Sequence, residues 1–383
     1  MVDVSTKPKR EARLAAIAAL AFSLAMGTQS VLLPLLALAA GYSKPDVGIL
    51  TAISAIAQLF TRILSATAMR RFSDKTLVVL SGIVLAVSSI SVALSSFVVV
   101  FVIAELIQGI ARGLFWSSAT THVLRQEGPT VGLMATINFL SSFGLFAGPT
   151  VAGLIAKFSL STALVVAGVI ALTTVIPAVL LSKEPPFEKG AKKIKREIWG
   201  KSEVRLGSWA GMTAGSWRGI LNSYVPVVLR SVGDSYFLVG VLVSMANGAS
   251  ILGTGLMGLL KRRSPIKVFA LGVAMAAIGT GFVGITAKSI FISLVILVAG
   301  GVGAGLLQTL GPVIATAGVE THQKGDAVAL AGSFRAGALL GAPLLMAVLL
   351  GPIGLSAALL VSGAVLGLPI LTARNKLRPR QAS

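Results

Sequence analysis

Twelve apolar stretches in succession limit this chain more than any other feature, because each is long enough to cross a hydrocarbon core of roughly 30 Å, which takes about 20 helical residues. They run over 12–40, 46–69, 76–97, 98–122, 131–157, 160–182, 204–230, 236–260, 266–287, 289–317, 326–350 and 352–373. The stretches are apolar throughout rather than at every second position, so they read as helices and not as strands of a membrane barrel. With 55% hydrophobic and only 12% charged residues, the chain lacks the polar surface of a soluble domain. The expected fold class is an all-α polytopic membrane protein with twelve transmembrane helices.

Charge placement orients these spans. If the amino terminus is set inside, 25 of the 33 lysines and arginines fall on the inner termini and loops, and only Lys44, Lys157, Arg230 and Lys288 fall outside. Basic residues in short loops stay on the cytoplasmic side. Both termini and the polar segment beginning at Lys183 are therefore expected in the cytoplasm, with the protein in the cell membrane. The formal charge of +20 is then mostly a record of topology. A nucleic-acid partner would need a basic face on a polar domain, and none is read here. The first stretch is as long as the others and lacks a small-residue cleavage pattern, so it is expected to remain as a span rather than be removed as a signal peptide.

The residue inventory excludes much chemistry. There is no cysteine and there are two histidines, His122 and His322. That removes thiolate zinc sites, thiol nucleophiles and triple-histidine metal centres. Gly300-Gly301-x-Gly303-x-Gly305 has the look of a phosphate loop, but no strand precedes it and no Walker-type lysine follows, so it reads as helix packing. No metal, cofactor or covalent catalysis is expected, and a membrane enzyme would need a cluster of acids, histidines or nucleophiles that the chain does not offer.

The chain also repeats itself. At an offset of 192, Gly27 falls on Gly219, Pro34 on Pro226, Val47-Gly48 on Val239-Gly240, Arg70-Arg71 on Arg262-Arg263, Gly109 on Gly301 and Gly113 on Gly305. With one residue inserted, Gly144 and Gly148 fall on Gly337 and Gly341. Such repetition marks two copies of one structural unit. The expected organisation is a six-helix bundle over 1–182, a linker over 183–203 and a second bundle over 204–383. An even number of helices per copy makes the copies parallel, with a pathway between them.

Three segments carry a resemblance to a known family, the major facilitator superfamily of secondary transporters, and it covers essentially the whole chain. The loop between the second and third spans reads Ala66-x-x-x-Arg70-Arg71-Phe72-Ser73-Asp74-Lys75, echoed by Gly258-x-x-x-Arg262-Arg263, with arginine where the family usually has aspartate. The fourth span carries Glu105-x-x-Gln108-Gly109 where proton-coupled members often have arginine, two residues, glutamine and glycine. The fifth carries Gly144-x-x-x-Gly148-Pro149-x-x-Ala152-Gly153, which resembles the glycine-proline motif of drug and proton antiporters. The resemblance implies alternating access and points to export in exchange for protons, with Arg70, Arg71, Asp74, Gly144, Gly148, Pro149, Gly153, Arg262 and Arg263 as gating or packing elements.

Charges inside the spans are few and costly, at about 2.5–3.5 kcal/mol each near the bilayer centre. They are Glu105, Arg62, Arg112, Arg218 and Arg335. Glu105, Gln108, Arg112 and Trp116 follow spacings of three and four along one stripe. As the only acid placed within a span, Glu105 is the candidate proton carrier, with Arg112 and Gln108 as its modulators; a permanent Glu105–Arg112 ion pair is the competing reading. Arg218, Asn222, Gln29, Gln58, Arg62, Trp116, Asn138, Asn247 and Arg335 are candidates for lining a substrate cavity. Trp116, Trp209 and Trp217 read as interface anchors before ligand stackers, and His122 and His322 as interfacial residues. The leading function is proton-coupled export of a small organic solute by a monomer. Uptake or exchange of an organic or phosphate-like anion is the alternative, and a non-transporting sensor or assembly partner of the same fold is a third. A reporter or cysteine label at position 190 should read cytoplasmic; an external signal would sink the whole orientation.

Overall fold

The computed structural model describes residues 7–126, 130–185, 200–260, 263–317, 319–320 and 323–371. Its elements are all helical: α1 (Lys7–Ala39), α2 (Lys44–Ala68), α3 (Asp74–Leu94), α4 (Val98–Leu124), α5 (Thr130–Ala156), α6 (Leu160–Thr173), α7 (Val175–Val179), α8 (Ser202–Ser231), α9 (Tyr236–Leu260), α10 (Pro265–Thr286), α11 (Ile290–Ala317) and α12 (Lys324–Gly367). Local chemistry sets several of the starts. Ser73 and Ser159 cap α3 and α6 by accepting from the amides of Thr76 and Thr162, and Pro265 opens α10, where its missing N–H costs nothing.

Among the described residues, ten helices are long and apolar enough to cross a membrane. Each expected span reappears as helix, although the seventh, α8, is long enough but not apolar enough to be among those ten, and two boundaries differ. The sixth is split into α6 and α7 at Thr174, because Pro177 removes an amide donor and its ring crowds the carbonyl four residues back. The eleventh and twelfth are run together in α12, turned only at Gly354 with φ 75°, a backbone state that strains any L side chain. Two further positive-φ glycines, Gly41 at 91° and Gly233 at 99°, sit after α1 and α8 at the repeat distance.

Packing groups the chain into two units. The first is drawn from Met1–Tyr42, Ile53–Ala191 and Ser235–Ser244. In it α1 packs on α5 and α6, and α3 on α4 and α6. Its core mixes alanines such as Ala15 and Ala19 with Leu85, Ile137 and a stacked Phe22–Phe115 pair whose centroids are 4.0 Å apart. The second unit is drawn from Ser43–Ala52, Lys192–Asp234 and Met245–Ser383. There α8 packs on α10, α11 and α12 around Phe269, Val273, Leu306 and Leu307.

Inside each unit the same glycine contacts recur. A methyl group at Gly109 would press on Ala57 Cβ at 2.7 Å, and one at Gly301 on Ala249 Cβ at 2.9 Å. Gly27 faces the Leu145 carbonyl and Pro149 Cδ, both at 3.2 Å from such a methyl, while Gly219 faces the Leu339 carbonyl at 2.9 Å and Pro343 Cδ at 3.1 Å. These contacts pair Pro149 with Pro343, so the register of the repeat is shifted here by one more residue than the sequence comparison placed it. Gly144 and Gly148 therefore correspond to Ala338 and Ala342, and not to Gly337 and Gly341. The environments differ accordingly. Methyls at Gly144 and Gly148 would come within 2.6 Å of the Leu20 carbonyl and 2.7 Å of Gly27 Cα, whereas among the described residues nothing lies within 4 Å at Gly337 or Gly341.

Gly148→Ala should accordingly lower the thermal stability of the protein in detergent by about 1–3 kcal/mol, the cost of overpacking a tight contact. Gly341→Ala should stay within about 0.5 kcal/mol of the parent. Equal melting temperatures for the two variants would remove Gly148 from the close-packed set.

Candidate functional site

The chemistry-bearing residues of the first unit are gathered by α4. Glycine makes this possible: Gly109 and Gly113 have no side chain, so the backbone of α2 at Ser54–Gln58 lies directly against α4, and a methyl at Gly113 would reach the Gln58 carbonyl at 3.0 Å. Polar side chains flank that contact. Glu105 is 5% exposed, with Ser54 beside its carboxylate and the Arg112 guanidinium, two turns along the helix, as its nearest charge of opposite sign. Among the described residues, ion pairs of the first unit lie around Glu11 and Asp74. Glu105 and Arg112 thus interact through space without a closed pair, and Arg112 Nε and Gln108 Nε2 are buried with no hydrogen-bond partner among the described residues.

A second set of contacts locks the surroundings of Glu105. Ser88 on α3 donates to the carbonyl of Ala104 at 2.8 Å. Its neighbour Ser89 receives the side-chain amide of Gln29 from α1, and the carbonyl oxygen of Gln29 is left buried and unpaired. Gln58 and Trp116 are half-buried, the latter edge-on to Phe115 at 5.3 Å. Arg62 and Asn138 are exposed on the surface of the protein and are not brought into this group.

On α5 the glycine-proline motif has two working faces. Gly144 and Gly148 seat α1, and Thr28 hydroxyl donates to the carbonyls of Leu24 and Gly148 at 2.8 and 3.2 Å. Pro149 and Gly153 seat the first turns of α9, where Thr150 hydroxyl bonds Ser244 at 2.7 Å and a methyl at Gly153 would meet Phe237 Cα at 2.9 Å.

In the second unit, Arg218 and Asn222 are half-buried on α8. Among the described residues Arg218 has neither an ion pair nor a hydrogen bond. Arg335 donates to Gln308 at 3.0 Å, and Asn247 is 5% exposed. Trp217 is 1% exposed and its ring lies on the bare faces of Gly279 and Gly300, so it is a core residue and not an interface anchor. A cavity of about 460 Å³ opens between α8 and both limbs of α12, lined by Ser216, Ile220, Phe334, Gly337, Gly341 and Leu366 among others; none of the arginines lines it.

The basic loop residues Arg70, Arg71 and Arg263 are exposed, while Arg262, His322, most of the 183–203 linker and the basic tail lie outside the described residues. Asp74 differs from its neighbours in the loop motif. It is 1% exposed, and with Glu11 it encloses His122, whose side chain is fully buried and not interfacial. Glu11 corrects a second expectation. It lies inside α1, five residues ahead of Ala16, so Glu105 is not the only buried acid on a helix. The signal was present as isolated acids in otherwise basic segments, but three residues so far apart in sequence cannot be joined without the fold.

A family model described as the Major Facilitator Superfamily matches residues 15–342. Among solved structures, the nucleoside transporter NupG superposes with a TM-score of 0.79 at 14% identity, over 95% of this chain and 99% of that one. A POT family transporter in complex with 5-aminolevulinic acid gives 0.81 at 12% identity over 97% of both chains. A bacterial homolog to the human lysosomal transporter Spinster, in an inward-facing and unoccupied conformation, gives 0.73 at 14% identity over 95% of both. No curated protein sequence matches the chain. Likeness at these identities is likeness of fold, and the family match, which spans most of the sequence, carries the assignment: this chain belongs to the Major Facilitator Superfamily and is an integral membrane transporter rather than an enzyme.

Proposed function

We propose that the protein exports a small organic solute in exchange for protons, with halves 1–182 and 204–383, joined by the 183–203 linker, rocking about a central pathway. It works as a monomer in the cell membrane with both termini cytoplasmic, an orientation supported by the uneven distribution of loop lysines and arginines. The observation that carries the coupling is the state of Glu105. A buried carboxylate near a guanidinium, yet not closed into a pair with it, can trade a proton when that guanidinium approaches or withdraws. Arg112 and Gln108 modulate it, since both hold buried nitrogen atoms without partners. Gln29, Gln58 and Trp116 from the first half, with Arg218, Asn222, Asn247 and Arg335 from the second, are the proposed substrate contacts; Arg62 and Asn138 rank below them on their exposure.

A second reading, uptake or exchange of an organic or phosphate-like anion, draws on one specific observation. Arg218 places a half-buried charge on the otherwise buried α8 without an acid or hydrogen-bond partner among the described residues, and a guanidinium offers parallel donors that suit a carboxylate or phosphate.

Two measurements separate these readings. Glu105→Gln should reduce uphill accumulation in inverted vesicles with an imposed pH gradient to the level seen without a gradient, while downhill exchange of the same solute persists. Uphill transport by a well-folded Glu105→Gln protein would eliminate the proton-carrier role. For the anion reading, Arg218→Lys should weaken substrate binding about tenfold, equal to about 1.4 kcal/mol; unchanged affinity in Arg218→Lys and Arg218→Gln would make this residue structural.

A further inference from the structure

Away from the proposed coupling residues, one end of the first unit holds a second cluster of titratable groups. His122, in the last turn of α4, lies with Nδ1 3.1 Å from Asp74 Oδ2 of α3 and Nε2 3.1 Å from Glu11 Oε2 of α1. All three side chains are fully buried. A neutral imidazole carries one N–H and one lone pair, so it can satisfy only one of these carboxylates and would point its lone pair at the other. With both ring nitrogens at hydrogen-bond distance from carboxylate oxygens, the arrangement closes only if it holds one proton more than a neutral imidazole and two carboxylates.

The surrounding groups place that proton. Asp74 accepts from the Lys75 amide through Oδ1 at 2.9 Å and faces Arg125 Nη1 at 3.7 Å through Oδ2. Glu11 accepts the Ser182 amide on Oε2 at 2.9 Å, while its Oε1 has Arg10 Nη1 at 3.8 Å and no hydrogen bond. Glu184 bonds the Ser182 hydroxyl at 3.0 Å just beyond. Each carboxylate turns acceptor oxygens toward the ring and toward further donors, and the imidazole between them is the one member of the three that can donate from both sides.

We propose that Glu11, Asp74 and His122 form a proton-binding site, distinct from Glu105, in which a doubly protonated His122 ties α1, α3 and α4 and the chain after α7 into one rigid end. Loss of the proton leaves one carboxylate facing a lone pair in a buried setting, so the tie weakens as the medium becomes alkaline. The site makes the packing of this end respond to pH independently of substrate.

The two-histidine inventory makes the test direct. In full-length protein labelled with 15N-histidine and carrying His322→Gln, the remaining ring should show two protonated nitrogens at pH about 8, well above the ordinary histidine value of about 6.5. Glu11→Gln combined with Asp74→Asn should return that ring to a single-proton tautomer at the same pH. A single-proton ring at pH about 8 in the otherwise native protein overturns the proposal, as does a doubly protonated ring that survives loss of both carboxylates. Should the double variant fail to fold, the spectrum of the His322→Gln protein decides alone. Neither outcome depends on transport, so it leaves the reading of Glu105 untouched.

Discussion

Helices that meet in lipid gain nothing from hiding apolar surface, because the acyl chains they displace are as apolar as leucine. What remains is close backbone contact, and this structure depends on it. The glycine run of α11 shows the logic residue by residue. Gly300 receives the Trp217 ring, Gly301 and Gly305 receive α9 at Ala246–Ser250, and Gly303 receives α10 at Gly272 and Met275. One short stretch thus docks three neighbours on three faces. The α5 motif repeats the arrangement, with one pair of glycines facing α1 and Pro149 and Gly153 facing α9. Packed carbonyl against bare Cα, such contacts have little room for gradual deformation, so movement is expected as rigid sliding between alternative seats.

Buried charge is used in two opposed ways. Around His122 every carboxylate has an opposite charge or an amide in place, and the result is a staple. Around Glu105 the buried groups are incompletely paired: Arg112 Nε, Gln108 Nε2 and Gln29 Oε1 all lack partners among the described residues. Each unpaired buried polar atom costs about 1–3 kcal/mol, so a stretch holding several is tolerated for what it does and not for the stability it adds.

Helix positions and repetition were legible because hydropathy in lipid leaves few options: a run of about 20 apolar residues must be a helix, and its ends are marked by charge. The same reasoning missed the break at Thr174, where one proline outweighed an unbroken apolar pattern, and placed the turn between the last two spans at Gly351, three residues ahead of Gly354. Glycine spacing alone set the wrong register for α12, since Gly337 and Gly341 look like Gly144 and Gly148 until Pro343 is seen occupying the seat of Pro149. The stripe on α4 could be read from spacings of three and four. The cluster at His122 could not, because its members come from α1, α3 and α4, and a histidine near a predicted helix end looks the same in sequence whether water or two carboxylates face it.

α8 holds a consequence for how the protein is made. Among the described residues it is the one long helix that falls short of the apolarity of a membrane span, carrying Glu203, Arg205, Arg218 and Arg230, yet its middle and last turns are buried almost without interruption from Ala210 to Leu229. A segment of this kind partitions poorly on its own from the translocation channel into lipid. The surfaces it packs on are supplied by α10, α11 and α12, all synthesised after it. Insertion of the second half is therefore a cooperative event completed late in biogenesis, and a truncated chain ending soon after α8 lacks the elements that would hold that helix across the membrane.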